Sequence, residues 1–401
     1  MTTVADRAGR PRRPRDRKEQ LAAVAAELFC QRGYHEVGIT DIAAAAGITG
    51  PALYRHFNDK QAILAHVVLL AIEQLTATTQ LSPDGAAAPA PDQVDTMLHS
   101  LARLSVERRD ISALWRWERR NLSAEAQREV RHRSTELVAG WTRTLRAARP
   151  ELSEPDAAML CWAGLSVFGS VAVHSTRLSR RRYVDLLVAA ARGVVHRTLP
   201  EPGAPAAQPP TPVLQPSRRE VLVIEASRLF GERGFHEVSM EDIGSAAGIS
   251  GPSVYRHFPS KTAVFMAAAS RVAERLAAGR ARVAATAATE LEALRGLVRS
   301  YVETMVDSAD LMSVGREIRA LSEADRTELR RVQRDYVAEW VRLLVAVRPD
   351  LTPVEARVVV HMGLTIVNDL IRTGPVMRRE NLAEELAVVM ATALGIACWP
   401  E

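Results

Sequence analysis

The segment Gly47-Ile-Thr-Gly-Pro-Ala-Leu-Tyr-Arg-His-Phe57, with Lys60 just beyond it, returns as Gly248-Ile-Ser-Gly-Pro-Ser-Val-Tyr-Arg-His-Phe258 with Lys261 beyond it. Between Arg32 and Lys60 on one side and Arg233 and Lys261 on the other, about 18 of 29 aligned positions are identical. A chain that repeats itself this closely must fold as two similar modules, because equal sequences place their apolar residues in equal registers. The 401 residues leave room for both, and a single core of that size is unusual. Markers of the same register persist far downstream: Glu118 and Arg120 match Glu317 and Arg319, Trp141 matches Trp340, and Arg149-Pro150 matches Arg348-Pro349. The duplication therefore covers whole units, and what one copy does the other is expected to do, on a target with two similar halves.

The apolar spacing is helical throughout. Leu21, Val24, Ala25, Leu28 and Phe29 recur on one face from Arg17 and stop at Gly33. A second short helix starts near Gly38, carries Asp41 in its first turn and ends at Gly47; in the other copy Ser239 and Asp242 have the spacing of a capping box. Thr49, or Ser250, is placed to cap a third helix whose Leu53 and Phe57 face inward while Arg55 points away. A short helix, a glycine turn and a second short helix describe a helix-turn-helix, whose second helix enters a major groove. Longer helices follow: a continuation through Leu75, then Gln93 to Arg108, Ile111 to Asn121, Ala124 to Arg149, Glu154 to Leu178 and Arg181 to Thr198. With 47% apolar but only 5% aromatic residues, the composition also favours packed helices, and the fold class is all-α.

These readings divide the chain into a basic arm (1–16), a first helix-turn-helix domain (17–62), a first helical regulatory domain (63–198), a Pro-rich linker (199–216), a second helix-turn-helix domain (217–263) and a second regulatory domain (264–401). Before residue 20 lie Arg7, Arg10, Arg12, Arg13, Arg15, Arg17 and Lys18, and the arm reads as a solvated tail or as an arm for a minor groove. An Ala/Pro/Gly stretch, Ser82 to Asp92, reads as disordered surface. The linker, at about 3.1 Å per residue, spans roughly 55 Å, more than the roughly 34–36 Å between half-sites one helical turn apart.

Asp41-Ile42-Ala43, Ala46-Gly47-Ile48-Thr49, Leu53-Tyr54-Arg55-His56-Phe57 and Lys60, repeated in the second copy, resemble the DNA-binding signature of TetR/AcrR transcriptional regulators. The resemblance implies a three-helix DNA-binding domain followed by a larger helical domain that takes a small hydrophobic or amphipathic effector and dimerises through its last two helices. Members of that family are mostly single units of about half this length, so a tandem chain is either a pseudo-dimeric monomer or a homodimer with four DNA-binding domains.

DNA contacts are expected at Thr49, Gly50, Pro51 and Ala52, and at Ser250, Gly251, Pro252 and Ser253, where helix N-terminal N–H groups and hydroxyls meet a phosphate or a thymine methyl. Tyr54, His56, Tyr255 and His257 resemble the family's backbone-contacting positions, and Arg55 and Arg256 reach either a guanine edge or a phosphate. Lys18, Lys60 and Lys261 are the only lysines against a background of arginine, and two of them occupy equivalent positions beyond the recognition helix. A compact ammonium suits phosphate; the bland reading is inheritance from the duplication. Effector contacts are assigned to Trp115, Glu118, Trp141, Trp162, Phe168, Glu317, Trp340 and His361, each of which core packing or helix-to-helix ion pairing explains as well.

No nucleophile with its base and no His/Cys/Asp/Glu cluster with ligand spacing stands out, so neither catalysis, a cofactor nor a metal is expected. Scattered Cys30, Cys161 and Cys398, and apolar stretches broken by Arg, Glu or His before membrane-spanning length, point to a cytoplasmic protein without a membrane partner. The alternatives are a helical ligand-binding or interaction protein, and an architectural DNA binder with little sequence preference.

Overall fold

The computed structural model describes residues 14–80, 88–110, 121–201, 216–308 and 321–396. Most of the arm, the Ala/Pro/Gly stretch and the linker, the helix expected at Ile111 to Asn121, and Trp115, Glu118, Arg120, Glu317, Arg319 and Cys398 lie outside the described residues. The described residues hold helices and no strand. They fall into two compact units, Met1–Gln74 with Ala113–Thr135, and Leu75–Ser112 with Glu136–Glu401.

In the first unit, α1 (Pro14–Arg32), α2 (Ile39–Ala45), α3 (Gly50–Tyr54) and the start of α4 (Lys60–Thr79) enclose one core. Leu21, Ala25 and Phe29 of α1 meet Ile42, Leu53, Phe57, Ile63, Leu64 and Val67, joined by Leu122 and by Val130 of α6 (Ala124–Ala148). Each fully buried Leu, Ile or Phe contributes about 1.5–3 kcal/mol over an exposed one, and that burial fixes which faces of the short helices remain outside.

The second unit repeats this domain with α9 (Arg218–Arg233), α10 (Met240–Ala246), α11 (Gly251–Val254) and α12 (Lys261–Thr286), around Leu222, Ala226, Phe230, Ile243, Val254, Phe258 and Phe265. It also holds two regulatory halves. The first consists of α5 (Ala90–Glu107), the later turns of α6, α7 (Glu154–Gly169) and α8 (Arg180–Val195); the second of α13 (Glu290–Asp307), α14 (Glu323–Val347), α15 (Pro353–Leu370) and α16 (Leu382–Leu394). Their buried residues form one continuous apolar core.

The helix expected over Glu154 to Leu178 stops at Gly169, and Ser170–Ala172 form a 3-10 turn. The segment after it reverses the chain, and Ser179 caps α8 by accepting from the Arg182 N–H at 3.3 Å. Two helical stretches, Lys60–Thr79 and Glu154–Ala172, do have the length and apolarity to cross a bilayer, contrary to the expectation that charges break every such run. His66 and Glu73 still interrupt the first, and in the second, whose charges Glu154 and Asp156 stand at its start, 72% of the apolar window is buried in the regulatory core.

The halves meet along a seam in which α7 lies on α15 and α8 on α16. Position 193 of the first half is equivalent to position 392 of the second, and Gly193 sits so close to Thr392 that a Cβ on the glycine comes within 3.3 Å of the threonine methyl. Equivalent positions touching each other mark an internal pseudo-twofold axis. Ion pairs on either side of it are reciprocal. Asp156, at the start of α7, pairs with Arg379 before α16, and its equivalent, Glu355 at the start of α15, pairs with Arg182 at the start of α8. The Arg-Pro markers close each half in the same way. Arg149 Nη1 donates to the carbonyls of Val195 and Arg197 at 2.9 and 3.0 Å, and Arg348 Nη1 donates to that of Leu394 at 3.4 Å, satisfying the C-terminal carbonyls of α8 and α16.

Candidate nucleic-acid interface

Helix α2 begins where the Gly38 N–H donates to the Asp41 carboxylate at 2.7 Å. In the second copy the reciprocal capping box forms in full: the Ser239 hydroxyl accepts from the Asp242 N–H at 3.0 Å, and the Ser239 N–H donates to the Asp242 carboxylate at 2.8 Å. Both α2 and α10 end in a Schellman turn. Gly47, at φ +65°, donates to the Ala44 carbonyl at 3.1 Å while Ile48 reaches back to Ala43 at 2.9 Å, and Gly248 (φ +68°) and Ile249 repeat the pattern. The left-handed glycine turns the chain into α3 or α11 with almost no linker.

Thr49 and Ser250 take the extended N-cap conformation, but neither hydroxyl makes a cap hydrogen bond. The Ser250 hydroxyl pairs with that of Ser253 at 2.8 Å instead. The recognition helices are short, ending at Tyr54 and Val254, with Pro51 and Pro252 in their first turns. Leu53 and Phe57 are 1% and 4% exposed and Val254 and Phe258 are 0% and 1%, whereas Tyr54 and Tyr255 stand out at 53% and 56%. Arg55 and Arg256 are exposed; Ala52, Ser253, His56 and His257 are half-buried beside them; Gly50 is half-buried and Gly251 buried. Each domain thus presents a ring of Tyr, Arg and small hydroxyl or apolar groups on a scaffold whose inward residues are fully packed. That arrangement offers phosphate donors around a patch small enough to approach base edges.

The two lysines expected at phosphate are turned inward. Lys60 Nζ donates to the Tyr34 and Val37 carbonyls at 2.9 and 3.0 Å and lies 4.2 Å from the centre of the Tyr34 ring. Lys261 Nζ does the same with Phe235, His236 and Val238 at 2.5, 3.3 and 2.7 Å, over the Phe235 ring. Only a compact ammonium delivers several protons to one point, and that geometric demand accounts for lysine in both copies. The third lysine shares only the ring contact: Lys18 lies 5.0 Å from the Phe57 ring centre, and its equivalent Arg219 lies 3.9 Å from that of Phe258.

Among the effector candidates, Trp141 and Trp340 occupy equivalent places in the apolar core, 5% and 0% exposed, and Phe168 is buried with them. Trp162 packs half-buried against the same core. His361 lies instead on the seam, stacked on His174 at 4.6 Å between ring centres. Four of the five described candidates thus share the apolar core, and His361 stacks on His174. His174 itself drew no attention in the sequence, since a lone histidine after a helix carries no spacing signal.

The model for bacterial regulatory proteins of the tetR family matches residues 21–67 and again 223–268, and a tetracyclin repressor-like C-terminal domain matches 287–372. The chain belongs to the TetR family. Among curated relatives, the HTH-type transcriptional activator FasR of Mycolicibacterium smegmatis is 34% identical over 86 residues, 21% of this chain and 39% of its own length. The HTH-type transcriptional repressor KstR2 of the same organism is 33% identical over 79 residues, 20% of this chain and 38% of its length. The chain therefore spans about two fifths of the curated relatives it matches. A solved structure described as AibR in complex with isovaleryl coenzyme A and operator DNA aligns at 19% identity, 43% of this chain, 96% of that one and a TM-score of 0.38. As a TetR-family chain, this one is distinguished by carrying the DNA-binding module twice.

Proposed function

We propose that the protein is a sequence-specific, ligand-responsive transcriptional repressor of the bacterial cytoplasm, in which a single chain reads both halves of a pseudo-palindromic operator. The observation that carries this reading is the conjunction of two intact helix-turn-helix modules, each exposing Tyr54 or Tyr255 beside Arg55 or Arg256, with a seam that joins the regulatory halves inside one chain. In a two-subunit regulator a twofold axis relates the two regulatory domains, and the Gly193–Thr392 contact puts an equivalent axis between the regulatory halves of one chain. Because Ala52 is answered by Ser253 and Thr49 by Ser250, the half-sites differ where those residues meet bases. Lys60 and Lys261 act as positioning residues that fix the α1–α2 and α9–α10 turns, while the tyrosines, arginines and helix N-termini carry the phosphate contacts. A small hydrophobic or amphipathic effector held in a regulatory half lowers operator affinity by its preference for the conformation that DNA does not select.

Selection of bound fragments from the source genome, followed by competition against unrelated duplex at fixed salt, tests the reading. The expected outcome is a preference of at least about 10³ for an imperfect palindrome. Equal competition by random DNA would leave only an architectural role.

A further inference from the structure

In a duplicated chain, features that repeat belong to the shared fold, and features that break the repeat belong to this protein alone. One cluster at the seam breaks it. His174 and Tyr183 of the first half face His361 and Arg357 of the second, while the equivalent positions hold Thr373, Leu382, Trp162 and Ala158.

The hydrogen bonds fix the protonation state of this cluster. The Thr176 N–H donates to His174 Nδ1 at 3.2 Å, so the neutral ring carries its proton on Nε2, which lies 3.1 Å from the Tyr183 hydroxyl and donates to it. Arg109 stands over the Tyr183 ring, its Cζ 5.1 Å from the ring centre. Arg357 lies one helical turn before His361, on the same face of α15. Burial, with His361, Arg109 and Arg357 nearby, pushes His174 down to about 3, and burial with Arg357 pushes His361 down to about 4.

Elsewhere along this core, several half-buried arginines are answered by carboxylates: Arg108 by Asp110, Arg182 by Glu355, and Arg379 by Asp156 and Glu385. Arg109 and Arg357, both half-buried, make no hydrogen bond or ion pair among the described residues. Two guanidinium groups from opposite halves thus flank a stacked imidazole pair with no carboxylate among the described residues paired to either, an arrangement that desolvation makes costly unless a negative group completes it.

We propose that this seam cluster is a binding site for a small oxyanion, a carboxylate or a phosphate-like group, bridged by Arg109 of the first half and Arg357 of the second. Guanidinium forks suit such groups, and the imidazoles become donors to the anion on taking up a proton. A bound anion ties the halves together, and its binding tightens as pH falls from 6 toward 4, because the anion favours the protonated imidazoles.

The test uses the full chain without DNA, so its outcome is separate from that of the operator reading. Thermal unfolding is followed against sodium sulfate, whose charge is constant over this pH range, with sodium chloride at matched ionic strength as control and sodium acetate as a second arm. Wild type is expected to show a saturable rise in Tm above the linear rise that sulfate gives any folded protein. In Arg357→Ala, the residue the chain itself carries at the equivalent position 158, the half-saturating concentration rises at least tenfold. Arg357→Lys, which keeps the charge, falls between the two. A stronger response to sulfate than to acetate marks a phosphate-like ligand, and the reverse marks a carboxylate. Parallel curves for wild type and both variants, or no saturable component in wild type, overturn the proposal.

Discussion

Replacing Lys60 with Met keeps the aliphatic stem and removes the ammonium that ties α4 to the turn after α1. Two hydrogen bonds are lost, to the Tyr34 and Val37 carbonyls at 2.9 and 3.0 Å, together with the charge over the Tyr34 ring. At roughly 1 kcal/mol net for each bond in this half-buried setting, the turn is destabilised by about 2 kcal/mol. Hydrogen exchange reads this directly: amides of the α1–α2 turn and the first turn of α4 are expected to lose about 30-fold protection. Operator affinity falls because α2 and α3 are less firmly held, but the slope of log affinity against log salt stays constant, since no phosphate contact is removed. A phosphate contact behaves oppositely, lowering the slope by about 0.9 for each lysine while leaving exchange unchanged. That pattern in Lys60→Met and Lys261→Met would refute the assignment.

Three further outcomes follow from the same geometry. His174 and His361 are held neutral with folded values of about 3 and 4, below the usual 6.5, so the unfolded chain takes up protons first as pH falls. Their stabilisation is complete above pH 6.5 and is lost on descent toward 4, at up to about 1.4 kcal/mol per pH unit for each group; urea midpoints that stay flat from pH 7 to 5 would contradict this. Glu355, held down to about 2 by Arg182 and the Thr352 N–H, adds a second loss below pH 4.5. A double-mutant cycle with Glu355→Gln and Arg182→Gln should give a coupling of roughly 1–2 kcal/mol, a buried carboxylate discounted for an arginine side chain that is 43% exposed. Exchanging Ala52 for Ser in the first domain is expected to make the preferred half-sites more alike, read by selection from a randomised duplex; unchanged half-sites would place those residues away from the bases.

Much of this was legible in the sequence, for identifiable reasons. Leu53 and Phe57 sit four apart beside a glycine turn, and burial follows from that spacing as surely as the exposure of Tyr54 and Arg55 does. Ser239 and Asp242 formed the capping box their spacing implies. The direction of Lys60 was not legible: its carbonyl partners lie 23 and 26 residues earlier, and periodicity carries no information across that distance. The same holds for the seam. Arg182 and Glu355 are 173 positions apart, and only packing of the halves shows that they meet. The stop of α7 at Gly169 also escaped, because the apolar pattern continues through Val171 and Val173 although the backbone turns.

The most direct measurement is the stoichiometry of the full chain on a short duplex bearing one two-half-site operator, by sedimentation with labelled DNA. An internal pseudo-twofold axis predicts one chain of 43.9 kDa per duplex, with loss of occupancy when either half-site is scrambled. Two chains per duplex, or binding indifferent to the loss of one half-site, would contradict it.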